Sequence, residues 1–192
     1  MKFCRIIFCL WLLVCFFPIG IHADIQLPSI LSDNMVLQQE AEVPVWGKAS
    51  PEMRVIVIPS WSGEKYENIA DRTGNWKVNI KTPKAGGPYH LEITDGEKVR
   101  LENVMIGEVW LCSGQSNMDM RMGGRYDEPV IGSLDAIVTS RNSQIRMFTV
   151  DGKMDSIPLA DCEGRWQEAS SETVPDFTAV GYFFACKLNS VL

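Results

Sequence analysis

Residues Gly107-Glu108-Val109-Trp110-Leu111-Cys112-Ser113-Gly114-Gln115-Ser116-Asn117-Met118 decide how the second half of this chain is read. A strand-like apolar run ends at Ser113-Gly114, and Ser116 sits on the bend that follows. A strand, a tight turn and a helix start expose a hydroxyl at a sheet end, where the first helical amides can stabilise an oxyanion. The same place suits an N-cap serine whose hydroxyl only satisfies backbone amides. A serine nucleophile needs a base, and the chain has two histidines, His22 and His90, neither well placed for the role.

Upstream of this block, residues 24–104 read as all-β. Short apolar or alternating runs occur at 35–37, 43–46, 55–58, 66–70, 76–80, 89–93 and 99–104. Turn residues separate them, among them Ser32-Asp33-Asn34, Thr73-Gly74-Asn75 and Ala85-Gly86-Gly87-Pro88. Regular short strands with such punctuation predict a β-sandwich. Asp95-Gly96, between two alternating runs, predicts a hairpin.

From Met105 the pattern changes. Met105 to Leu111 reads as one apolar strand with a lone acid, Glu108. A Gly- and Met-rich loop follows, then a weak helix at 133–139, a strand at 144–150, a short strand at 164–167 and a helix from Thr178. Strand alternating with helix predicts a parallel α/β sheet. Only two or three strands of that sheet are in the chain, too few to cover both faces, so the sequence reads as the front of something longer.

Lys2 and Arg5 precede an apolar run, Ile6 to Phe17, that Pro18 and Gly20 interrupt. With the small-residue site Ile21-His22-Ala23, residues 1–23 read as a signal peptide. The mature chain then starts at Asp24, is exported to the periplasm or outside the cell, and keeps no membrane span. An uncleaved anchor is the alternative, and a lipoprotein site at Cys15 fits less well behind Val14.

The composition, 46% hydrophobic and 22% charged, describes an ordinary globular protein. A net charge of −6 with no basic cluster beyond the first residues argues against a nucleic-acid partner. Cleavage would leave Cys112, Cys162 and Cys186, with no C-x-x-C pair and no metal-ligand spacing. No metal or other cofactor is expected. A Cys162–Cys186 bridge is open in an exported chain.

The Gly107–Met118 string resembles the nucleophile block of the sialate O-acetylesterases, members of the SGNH hydrolase superfamily. Leu31-Ser-Asp-Asn-Met-Val-Leu-Gln38, Val43-Pro-Val-Trp-Gly47, Gly74-Asn-Trp76, Gly87-Pro-Tyr89 and Asp176-Phe-Thr-Ala-Val-Gly-Tyr-Phe-Phe184 resemble further parts of that family. The resemblance implies a mixed fold. An N-terminal all-β sandwich, 24–104, precedes the first part of an α/β SGNH-hydrolase (flavodoxin-like) domain, 105–192. It implies that Ser116 attacks the acetyl carbonyl of an O-acetylated sugar. Gln115 and Asn117 read as site-lining polar groups in preference to simple turn formers, and the resemblance makes Gly181 a candidate oxyanion donor. The late Asp-x-x-His segment that supplies acid and base in the family has no match, so this polypeptide is expected to be an inactive fragment.

Competing readings accompany these residues. His90 shares a strand with Tyr89, Leu91 and Ile93 and points away from their face, which suits a solvated side chain better than a base. Asp119, Asp127 and Glu128 read as solvated loop acids. Met118, Met120 and Met122 read as an exposed alternating strip, packing against further chain or lining an acyl pocket. Trp46, Trp61 and Trp76 read as sandwich core. An acetyl-xylan type of esterase keeps the chemistry and changes the sugar. A secreted, non-catalytic β-sandwich that binds carbohydrate is the alternative outside catalysis.

Overall fold

The computed structural model describes residues 25–152 and 155–192. The signal-peptide reading of 1–23 lies outside the described residues. Among them, no helix is long and apolar enough to cross a membrane.

The strands of the first part are β1 (Val36–Gln38), β2 (Glu42–Lys48), β3 (Arg54–Pro59), β4 (Tyr66–Ile69), β5 (Asn75–Lys81), β6 (Gly86–Thr94) and β7 (Lys98–Gly107). Five of them form one sheet in the order β1-β7-β6-β3-β4, and β2 pairs with β5. Every pair is antiparallel except β1 with β7, which runs parallel with Val36 opposite Met105 and Gln38 opposite Gly107. Alternation explains why these segments are strands. In β5, Trp76, Val78 and Ile80 face inward while Lys77, Asn79 and Lys81 face water. Val55 and Val57 of β3 and Leu91 and Ile93 of β6 meet them in one core. Removing each such side chain from water stabilises by about 2 kcal/mol. Trp76 belongs to this core, and Trp46 and Trp61 pack against it, as the sandwich reading expects.

Two local devices hold the sandwich together. Gln26 and Lys48 exchange both backbone bonds, at 2.9 and 2.8 Å. That approach needs glycine at position 47, where a Cβ would lie 2.3 Å from the Gln26 carbonyl oxygen. Between β4 and β5, the Asp71 carboxylate accepts from the amides of Thr73 (2.8 Å) and Asn75 (2.9 Å) and from the Thr73 hydroxyl (2.7 Å). These bonds, that from the Thr73 hydroxyl first, lower its pKa to about 2. A lowered folded-state pKa stabilises above the unfolded value of about 3.9. This contribution should therefore fade as pH falls from about 4 through about 2. Thermal melts of wild type and Asp71→Asn should differ by a constant Tm interval above about pH 5 and converge near pH 2. A gap that persists unchanged at pH 2 would assign the difference to something other than the carboxylate charge.

The second part contains α1 (Ser116–Asp119), α2 (Ser133–Val138), β8 (Asn142–Phe148), β9 (Trp166–Ala169), a 3-10 turn at Val174–Asp176 and α3 (Ala179–Asn189). Met122, Ile145, Met147, Ala169, Val174 and Tyr182 form a separate small core. Two findings differ from the sequence expectations, and a third answers a question the sequence left open. The strand expected over Met105–Leu111 is realised only to Gly107, where it is the end of β7 in the sandwich. Val109, Trp110 and Leu111 belong to no ladder and are exposed, because the described residues offer them no neighbouring strand. The expected parallel pairing also gives way here, since β8 and β9 run antiparallel. Finally, Cys112, Cys162 and Cys186 are free thiols, so the Cys162–Cys186 bridge is not formed. Asp161 is tied to the amide of Ser29 at 2.9 Å, which keeps the Cys162 loop against the sandwich.

A polar cluster joins the two parts. Arg146 on β8 is 2% exposed in its side chain and lies 3.2 Å from Glu168 of β9. Its Nη2 also donates to Asn103 Oδ1 at 3.2 Å, and Asn103 Nδ2 donates to Asn34 Oδ1 at 2.7 Å. Burial pulls the Arg146 pKa down, and the Glu168 charge opposes that. The indole of Trp166 adds a bond to the Ile30 carbonyl at 2.8 Å.

Candidate active site

The segment that leads to Ser116 leaves the sandwich at Gly107 under restraint. The Val109 amide donates to Gln38 Oε1 at 3.0 Å, and the Glu108 carboxylate accepts from Gln38 and Gln39. The backbone then runs without strand pairing to Gln115, whose carbonyl accepts from the amides of Met118 (2.9 Å) and Asp119 (3.1 Å) and starts the single turn of α1. The bend is tight at Gly114, where a Cβ would meet that of Met118 at 3.1 Å.

The N-cap of α1 is Gln115, with no side-chain cap bond, and Ser116 is the first helical residue. The capping role that competed for Ser116 is therefore not taken up. Ser116 is exposed, and its hydroxyl bonds to nothing among the described residues. Gln115 and Asn117 flank it and are also exposed, so the turn presents all three together.

Gly181 lies in the first turns of α3 and is buried. Its amide donates to the hydroxyl of Thr178, the α3 N-cap, at 3.5 Å. A Cβ at this position would lie 2.6 Å from Thr178 Cγ2 and 3.3 Å from Cys112 Sγ. The small size of Gly181 lets α3 approach the segment before the Ser116 turn at Cys112.

The methionines differ from the strip expected of them. The chain at 118–123 runs beside 175–179, with the Met122 amide on the Phe177 carbonyl and the Ala179 amide on that of Met120. This buries Met122 completely and half-buries Met118 and Met120. Met118 Sδ accepts from the Thr178 hydroxyl at 3.6 Å.

The acids and the histidine fall as follows. Asp119 is ion-paired with Arg125, and Asp127 and Glu128 are exposed in the loop. His90 lies half-buried in β6 on the sandwich, its amide bonded to the Ser60 hydroxyl. It makes no hydrogen bond to Ser116. Tyr182, 3% exposed in the α3 core, has its pKa pushed up to about 12 by burial and by its Cys186 partner, which suits a structural phenol. Beside the turn is a cavity of about 570 Å³ whose walls include Trp110, Ser113, Met118, Arg146, Phe148 and Phe177. Among the described residues, no group of three His, Cys, Asp or Glu side chains could hold a metal ion.

The sequence reading missed the contact between Gly181 and Cys112, the Thr178 cap and the two glutamines on Glu108. Only Glu108 carried a local signal, as an acid alone in an apolar run.

No protein-family model matches the chain. Sialate O-acetylesterase of Homo sapiens is 35% identical over 169 residues, covering 82% of this chain and 31% of the relative. The chain belongs to the sialate O-acetylesterase family. The Mus musculus member is 30% identical over 135 residues, 65% of this chain and 24% of its own length. Among solved structures, a carbohydrate acetylesterase from Xanthomonas citri is similar at 35% identity with a TM-score of 0.80, over 87% of this chain and 37% of that one. The chain thus spans about a third or less of the length of the curated relatives it matches. The sheet-rich mixed fold is that of a carbohydrate acetylesterase over the shared region.

Proposed function

We propose that this chain carries the nucleophile of a carbohydrate esterase that removes O-acetyl groups from sialic acids. The observation that carries the reading is the Ser116 turn: an exposed hydroxyl without a partner among the described residues, on a block that resembles the nucleophile block of the family to which the chain belongs. Ser116 Oγ attacks the acetyl carbonyl carbon, its proton passes to a base, and the sugar oxygen leaves with a proton. Water then attacks the acetyl-serine, releasing acetate and restoring the hydroxyl. The amides of Ser116 and Asn117 have no acceptor among the described residues, which supports them as oxyanion donors. Gln115 and Asn117 line the site. Gly181 contributes through packing. We further read 24–104 as the sandwich domain, 105–192 as the start of an SGNH-type α/β domain, and the protein as exported by its first 23 residues.

The test is deacetylation by the complete gene product, with O-acetylated sialic acid and acetylated xylo-oligosaccharide assayed side by side. Release of acetate from the sialic acid is the expected result. Activity on the xylan substrate alone would reject the sialate assignment and leave the serine chemistry standing.

A further inference from the structure

Three side chains at the exit of the sandwich form a closed set. Gln39 Nε2 donates to Glu108 Oε1 at 2.6 Å, and Gln38 Nε2 donates to Glu108 Oε2 at 3.2 Å. Both glutamine oxygens are also used: Gln38 Oε1 accepts from the Val109 amide at 3.0 Å, and Gln39 Oε1 from the Ala85 amide at 2.9 Å. The backbone anchors the same corner, because the Gln39 amide donates to the Gly107 carbonyl at 2.9 Å and β1 lies parallel to the end of β7. These bonds, Gln39 first, lower the Glu108 pKa, so the carboxylate remains an acceptor on both oxygens at neutral pH.

The chain beyond this corner has no ladder to hold it. Glu108 to Gly114 pairs with no strand among the described residues, and Trp110 makes an edge-on contact with Phe184 at 5.1 Å. Glu108 and Val109 thus fix the sandwich end of the segment that enters the Ser116 turn, whose far end rests on α3 at Cys112 and Met118.

We infer that Gln38, Gln39 and Glu108 are positioning residues through which the sandwich aims the Ser116 turn. The inference rests on Ser116 being the nucleophile. Reaction geometry is steep in position, since a displacement of about 1 Å can cost on the order of 100-fold in rate. Because the carboxylate is solvent-exposed, losing one bond at the corner should produce a partial drift and about a 10-fold loss.

The reciprocal exchange of the two side chains supplies the test. In Glu108→Gln, an amide nitrogen faces the nitrogen of a neighbouring glutamine, and one bond is lost. In the double variant Glu108→Gln with Gln39→Glu, the new amide donates to the new carboxylate. That carboxylate still accepts from Ala85, and the residue 108 carbonyl still accepts from Gln38, so every bond returns with one direction reversed. In the complete gene product, Glu108→Gln should lower kcat about 10-fold with KM within about two-fold. It should also speed hydrogen exchange at the Val109 amide by about the same factor, and the double variant should restore both. Glu108→Gln with unchanged kcat and unchanged Val109 exchange would overturn the inference, as would a double variant that restores neither. The exchange measurement needs no catalysis. If wild type deacetylates nothing, the functional reading falls, and Val109 exchange alone decides whether the corner is held as described.

Discussion

Replacing Ser116 by alanine should lower kcat of the complete gene product on O-acetylated sialic acid by about 1000-fold or more, with KM little changed. The size follows from the chemistry. In the proposed mechanism the hydroxyl forms the bond that carries the acetyl group between the two half-reactions, and no neighbour on the turn offers a substitute, since Gln115 and Asn117 are amides. Substrate binding should survive, because the exposed Ser116 side chain holds up nothing: it caps no helix and bonds to no other described residue. Circular dichroism and thermal melts of the variant should therefore match wild type. Undiminished deacetylation in Ser116→Ala would remove the serine from the mechanism. A loss of activity accompanied by a lower Tm would instead assign the residue a structural role.

Expressed as its 192 residues, the polypeptide should show no saturable hydrolysis of p-nitrophenyl acetate. A serine hydroxyl reacts slowly unless a base takes its proton, and removing the base of a serine triad costs about as much as removing the serine itself, on the order of 10⁶-fold. Among the described residues no histidine meets Ser116: His90 is in β6 on the sandwich. The nearby acid Asp119 is committed to Arg125. Saturable turnover lost in Ser116→Ala would show that a base lies within this chain. The two experiments separate cleanly, since the first asks whether Ser116 is the nucleophile and the second whether its activator is present in these residues.

The sandwich was legible because its signals are local. The period-2 alternation of Trp76, Val78 and Ile80 and the Asp95-Gly96 turn each act within one strand or one hairpin, and the structure realises both. The Ser116 turn was legible for a related reason: Gly114 permits a close bend within a few residues of the serine. Where the reading went astray, the deciding partner lay far along the chain. Apolarity in Val109-Trp110-Leu111 marks a tendency to burial and says nothing of pairing, so the strand reading meets an unpaired, exposed segment in the described structure. The methionine alternation looked like a surface strip, yet Met122 is buried because residues 175–179 lie against it.

What the sequence determined by itself was thus the strands of the sandwich, the turns between them and the residue that a tight bend exposes. These depend on side-chain period and backbone freedom, which nearest neighbours set. Tertiary structure alone decided the parallel pairing of β1 with β7, the grip of Gln38 and Gln39 on Glu108, and the seat of Gly181 against Cys112. Each joins residues about 70 positions apart, and their meeting follows from how the separate faces bury one another rather than from any local preference.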